Sequence, residues 1–88
     1  MTPLVECFGL AVRQMRRSRG WSQERLAERS DLNRSYVGEI ERGHAIASLA
    51  TIEKLARALD IAPSQLLVHG ETVSLTKTRW SGLVAKAC

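Results

Sequence analysis

The segment Asn33-Arg34-Ser35-Tyr36-Val37-Gly38-Glu39-Ile40-Glu41-Arg42 holds the side chains best suited to reading a hydrogen-bonding, polyanionic surface. At about 100° per residue, Arg34, Ser35, Gly38, Glu39 and Arg42 fall within an arc of roughly 140° on a helix, opposite Tyr36, Val37 and Ile40. One face is polar and the other can anchor. An arginine fork bonds both acceptors on a guanine edge, a contact worth about 1–3 kcal/mol against a wrong base, which makes Arg34 the candidate reader. Ser35 and Glu39 are its companions. Serine discriminates poorly, whereas a glutamate accepts from a cytosine amino group and repels phosphate if misplaced. Gly38 lets the helix backbone come close to a partner. Tyr36 can set its ring against a core and its hydroxyl on a phosphate, and Arg42 suits a backbone phosphate.

Catalytic chemistry has no comparable support. There is no nucleophile with a matched base, no Gly-rich phosphate loop and no ligand cluster, and His44 and His69 each stand alone. Catalytic residues, metal ligands and cofactors are therefore not expected, and an enzyme is excluded as the leading reading. Cys7 and Cys88 sit at opposite ends of the chain. With no basic-then-apolar signal layout at the N-terminus, both are expected as free thiols, Cys7 partly buried on a helix.

The elements that must position the segment can be read from periodicity and caps. Val5, Phe8, Val12 and Met15 recur at helical spacing and Gly20 supplies a stop, so a first helix is expected from Val5 to Arg19. Ser22 caps a second, Gln23 to Arg29, with Leu26 and Ala27 inward. Ser30-Asp31-Leu32-Asn33 reads as a tight connection in which Asn33 caps the third helix, which ends near Gly43. Ser48 caps a fourth, with Leu49, Ile52, Leu55, Ala56 and Leu59 as its stripe. Asp60-Ile61-Ala62 links to Pro63, the first position of a fifth helix carrying Leu66, Leu67 and Val68 and ending about His69. Beyond it, Val73, Leu75, Lys77 and Arg79 alternate with Ser74, Thr76, Thr78 and Trp80, a pattern that predicts a strand or an extended tail. The expected class is all-α: a five-helix domain over residues 1–69 and a short extended tail over 70–88.

The chain has 88 residues, 44% apolar and 25% charged, enough for one modest core. Its apolar runs are too short to cross a bilayer, so the expected location is the cytoplasm. Thirteen Lys and Arg against nine Asp and Glu leave a formal charge of +4, and ten of the thirteen are arginines. That balance suits a polyanion but is equally compatible with a merely solvated surface. For Arg13, Arg17 and Arg19 taken singly, solvation is the better reading. Trp21, just before the second helix's cap, reads as a turn-packing residue.

From Arg19-Gly20-Trp21-Ser22-Gln23, through Leu26-Ala27 and Leu32-Asn33-Arg34-Ser35-Tyr36-Val37, to Ile40-Glu41-Arg42-Gly43 and Leu55-Ala56-Arg57-Ala58-Leu59, the sequence resembles the helix-turn-helix of the phage-repressor (lambda-repressor-like, XRE) superfamily. The stretch Asp31 to Tyr36 is most similar to the controller proteins of restriction-modification systems. The resemblance covers about residues 5 to 68 and implies a DNA-binding domain. It implies a phosphate contact for Gln23, at a helix N-terminus, and a pairing of Arg16 with Glu41 between the first and third helices. The DNA-binding set is then Ser22, Gln23, Asn33, Arg34, Ser35, Tyr36, Glu39 and Arg42. Two departures stand out. Asp31 holds a turn position usually given to glycine, which aspartate tolerates at modest cost. His44-Ala45-Ile46-Ala47-Ser48 replaces a basic run, so backbone contacts from that loop are in doubt and Ile46 is free to face a partner chain.

The function these features imply is a homodimeric transcriptional repressor or autoregulator that reads an inverted repeat in double-stranded DNA, with half-sites about 34 Å apart. Helix five, alone or with the tail, would form the dimer surface. The alternative is an antitoxin or accessory protein that binds a protein partner, uses DNA for autoregulation and needs residues 70–88 for capture. No membrane partner is expected in either case.

Overall fold

Short polar side chains open three of the helices by taking an otherwise unpaired N–H. Ser22 Oγ accepts from the Arg25 N–H at 3.0 Å, Asn33 Oδ1 from Ser35 at 2.7 Å, and Ser48 Oγ from Thr51 at 3.1 Å. At the fifth, Gln65 reaches back to accept the Ala62 N–H at 2.8 Å, half of a capping box, and Pro63 follows at the first helical position. The computed structural model describes the backbone of residues 3–78 and side chains as far as residue 72. These residues form five helices: α1 (Pro3–Ser18), α2 (Gln23–Ser30), α3 (Arg34–Glu41), α4 (Leu49–Ala58) and α5 (Pro63–Thr78). No strand occurs among the described residues.

The turns between helices need left-handed backbone. Gly20 and Gly43 supply it at φ 71° and 76°. Asp31, at φ 57° and ψ 46°, carries the same conformation between α2 and α3, and its N–H returns to the carbonyls of Ala27 and Glu28. The expected tolerance of aspartate at this turn is met.

Val12, Leu26, Val37, Leu55, Leu59 and Leu66 are wholly buried and Ile40 nearly so. Each contributes about 1.5–3 kcal/mol by leaving water. Phe8, Ala27, Ile52 and Ala56 complete the cluster, and Trp21, Leu32 and Tyr36 pack against its margin. Helix α3 is held from two sides, by α1 and by α2. Its approach to α1 is made possible by Gly9, where a Cβ would run into the Ile40 carbonyl oxygen and lie 3.0 Å from that of Glu41.

The extended reading of residues 70–78 is corrected: α5 continues through Gly70 to Thr78, across the expected 69/70 boundary. The packing on α1 explains why. A Cβ at Gly70 would stand 3.3 Å from Phe8 Cα, so the absent side chain lets α5 lie against α1 rather than breaking the helix. Thr72 Oγ1 donates to the Val68 carbonyl at 3.0 Å, a bond made within the continued helix. The rest of the expected tail, 79–88 with Trp80 and Cys88, lies outside the described residues. Leu66, expected with Leu67 and Val68 on an outward face, is fully buried, and only its two neighbours face out.

Candidate nucleic-acid interface

Val37 and Ile40 fix α3 to the core, which turns Arg34, Ser35 and Arg42 to the outside, all three exposed. Arg34 has no hydrogen bond or ion pair among the described residues, so its guanidinium is available in full. Asn33 and Ser22 are also exposed, but each spends its side-chain oxygen on a helix cap. Their remaining groups flank the two helix N-termini, where N–H groups favour an anion.

Glu39 is half-exposed and already occupied. Its carboxylate lies 3.2 Å from Arg42 Nη2 and 3.5 Å from His44 Nδ1. The polar arc of α3 thus carries an internal ion pair beside the unpaired Arg34. Gly38 is not open as its lack of a side chain suggests. Its Cβ position is roofed by Arg42 Nη1 at 3.3 Å and Gln23 Oε1 at 3.5 Å, so a partner approaching α3 at this point meets those two side chains first. The Tyr36 ring packs against the core margin, and its hydroxyl lies 3.3 Å from Thr51 Oγ and 3.4 Å from the Ile46 carbonyl. In this structure the hydroxyl faces the α3–α4 loop.

Beneath this surface lies a buried polar network. Glu41 Oε2 accepts from Arg16 Nε at 2.7 Å, and Oε1 accepts from Arg16 Nη2 at 3.0 Å. The same Oε1 takes Gln23 Nε2 at 3.0 Å. Arg16 Nη1 donates onward to the Trp21 carbonyl at 2.7 Å, which ties the α1–α2 turn into the network. Gln23 is therefore oriented by Glu41 at the mouth of α2. The pairing of Arg16 with Glu41 is present as the resemblance implies.

Sequence reasoning missed two features here. Arg13 approaches the same carboxylate, its Nε 3.7 Å from Glu41 Oε1. Trp21 is flanked by Arg19 and Arg29, whose guanidinium carbons lie 5.9 and 4.8 Å from the ring centroid. Arg19 also donates to the Leu59 carbonyl at the end of α4. Those two arginines brace the fold; only the helical end positions of Arg19 and Arg29 hinted at it. Cys7 is buried and unpaired. No group of three or more His, Cys, Asp or Glu able to hold a metal occurs among the described residues, and no helix among them is long and apolar enough to cross a membrane.

The family model described as "Helix-turn-helix" matches residues 12–66, from α1 into α5. Control protein C.BamHI of Bacillus amyloliquefaciens is 49% identical over 61 residues, which span 68% of this chain and 75% of that protein. The crystal structure of the restriction-modification controller protein C.AhdI from Aeromonas hydrophila aligns at a TM-score of 0.68 with 54% identity, over 72% of this chain and 94% of that one. The clp gene regulator ClgR from Corynebacterium glutamicum aligns at a TM-score of 0.81 with 26% identity, over 93% of this chain and 87% of its own. With Ser22 and Asn33 capping two short helices across a left-handed Asp31, and with these relatives, the chain belongs to the helix-turn-helix family of transcriptional regulators that includes the restriction-modification controller proteins.

Proposed function

We propose that this chain is a sequence-specific, double-stranded-DNA-binding transcriptional regulator that acts as a homodimer, a repressor or autoregulator reading an inverted repeat with α3. The observation that carries the reading is Arg34: exposed, unpaired among the described residues and in the first turn of a short helix whose opposite face is buried. In the major groove its fork selects guanine. Ser35, Glu39 and Arg42 complete the groove face. Ser22, Gln23 and Asn33 hold the backbone on either side, contacts that position without specifying, and Tyr36 joins them only by turning its hydroxyl away from Thr51 and the Ile46 carbonyl. The similarity to control protein C.BamHI and to C.AhdI supports a controller role of the same kind, and no catalytic activity is assigned.

Dimerisation follows from the size of the reader. An α3 of 8 residues spans few base pairs, and a two-fold pair doubles the site. Ile46 and Leu49 are 70% and 83% exposed on the α3–α4 side, and Leu4, Leu67 and Val68 add further apolar surface from α1 and α5. Of these, Leu4, Ile46 and Leu67 line one shallow depression between α1, the α3–α4 loop and α5; exposed apolar side chains gathered in this way mark an interaction surface, and an apolar face meets its own copy without like-charge repulsion.

The test is selection of bound duplexes from a random library near physiological salt, repeated with Arg34→Ala. An enriched inverted repeat whose guanine preference disappears in the variant is the expected result. Weak, steeply salt-dependent binding with no enriched sequence would reject sequence-specific reading by this chain alone and point to a protein partner as the source of specificity.

A further inference from the structure

We infer that Arg42 is a second base reader on the groove face, and that Glu39 is the positioning residue that aims it. The inference rests on the DNA-binding reading above and reverses the sequence expectation for both residues, in which Arg42 clamps a phosphate and Glu39 accepts from a cytosine.

Gly38 leaves a gap on the polar arc of α3, one turn beyond Arg34 and one turn before Arg42. The Arg42 guanidinium fills that gap, its Nη1 and Nη2 lying 3.3 and 3.5 Å from the point where a Cβ would stand. The side chain therefore runs back along α3 over the glycine instead of out past the helix end, the direction that long helical side chains favour. Its charged end is set on the stripe that Arg34 opens, opposite the buried Val37 and Ile40. Phosphates line the walls of the groove, whereas a side chain lying along the inserted helix face meets base edges.

Glu39 decides what that guanidinium can bind. Its Oε1 lies 3.2 Å from Arg42 Nη2 and its Oε2 3.5 Å from His44 Nδ1, so one oxygen is turned to the fork and the other to the loop after α3. Both are engaged with this chain's own side chains rather than with a cytosine amino group. The pair is half-exposed and adds little to stability, so its consequence lies in what Arg42 meets. A carboxylate this close repels an incoming phosphate and cancels much of the attraction on which a clamp depends. A guanine edge carries no net charge and escapes that repulsion. Arg42 spends one N–H on Glu39, which fixes the plane of the fork, and keeps its other donors for the two acceptors of the base.

The experiment repeats the duplex selection with Arg42→Ala, Arg42→Lys, Glu39→Gln and the double variant, beside wild type and Arg34→Ala. Arg42→Ala is expected to lose preference, by about 5- to 150-fold, at a guanine other than the one lost in Arg34→Ala. Arg42→Lys keeps the charge without the fork and should lose most of that preference too, so it carries the test if Arg42→Ala does not fold. Glu39→Gln should weaken preference at the same guanine, and in the Arg42→Ala background it should change nothing there. Replacing that guanine by 7-deazaguanine, which lacks the N7 acceptor, should cost wild type several-fold and Arg42→Ala little. Uniform weakening over all sequences in Arg42→Ala, with the slope of log K against log salt lowered by about 0.9 per protomer and restored by Arg42→Lys, would make Arg42 a phosphate clamp and overturn the inference. A further loss of preference when Glu39→Gln is added to Arg42→Ala would make Glu39 a reader in its own right and overturn its positioning role. Under either result the guanine read by Arg34 is still selected and the DNA reading stands. A wild type that enriches no sequence would instead overturn the DNA reading itself.

Discussion

Glu41 has no exposed side-chain surface and sits between an arginine of α1 and a glutamine of α2. Removing a carboxylate of this size from water costs several kcal/mol, which the bidentate Arg16 contact and the Gln23 amide offset. The balance is one-sided on mutation, because deletion of one partner leaves the other buried and uncompensated. Glu41→Ala is expected to lose about 3–5 kcal/mol, a large share of the roughly 5–15 kcal/mol that a domain possesses. Thermal melting followed by circular dichroism checks it: the midpoint should fall by at least about 12 °C, and a fall under about 4 °C would show that the network is dispensable. By contrast Arg34→Ala, at an exposed and unpaired site, should move stability by no more than about 0.5 kcal/mol while abolishing guanine preference. Urea unfolding of the two variants side by side separates a residue that builds the fold from one that reads with it. The Arg16–Glu41 pair was legible only through resemblance, since its members lie 25 residues apart and neither type of residue announces burial. Arg13 was not legible at all. Its distinction is an acceptor already filled by others, which no spacing encodes.

At the scale of the element, helix boundaries followed their caps: Ser22, Asn33, Ser48 and Pro63 stand where short polar side chains or a fixed φ favour a start. Helix α5 did not follow, because alternating Val73, Leu75 and Lys77 carry no helical stripe. Packing against Phe8 outweighed propensity. The same chemistry makes two glycines respond in opposite ways to the same change. Both lie inside helices, where alanine is favoured by about 1 kcal/mol. At Gly9 a new methyl meets the backbone carbonyls of Ile40 and Glu41, which cannot yield without moving α3, so Gly9→Ala should destabilise by more than about 2 kcal/mol and disturb DNA reading through α3. At Gly38 the nearest atom is the far end of Arg42, which can yield by the few tenths of an ångström required, while Gln23 Oε1 at 3.5 Å is at ordinary contact distance. Gly38→Ala should therefore stabilise by about 0.5–1 kcal/mol yet weaken DNA binding by shifting the Arg42 guanidinium. Denaturant midpoints for the pair check the signs. Equal effects would mean that helix propensity, not the approach of α1 to α3, governs both sites.

On the scale of the whole molecule, the same exposed surface has to serve two demands: charge toward DNA and apolar contact toward a second copy. The net charge of +4 gives two copies of the chain a like-charge repulsion to overcome. Leu4, Ile46, Leu49, Leu67 and Val68 are exposed, carry no charge and offer apolar burial against it. Sequence reasoning placed Ile46 toward a partner because a basic loop had been replaced. It did not find Leu49, whose stripe position suggested the core but whose place at the first turn of α4 leaves it 83% exposed. Ile46→Asp combined with Leu49→Asp puts four like charges across a two-fold contact without touching a buried group. Melting should change little, whereas sedimentation at micromolar concentration should shift from dimer to monomer. Binding to the inverted repeat should then lose its two-site avidity and fall toward that of a single half-site, while affinity for a single half-site duplex stays near wild type. A dimer that survived both substitutions would move the two-fold to another face. If affinity for the single half-site fell as steeply as for the repeat, the loop would be acting on DNA directly, and the apolar surface would have no part in assembly.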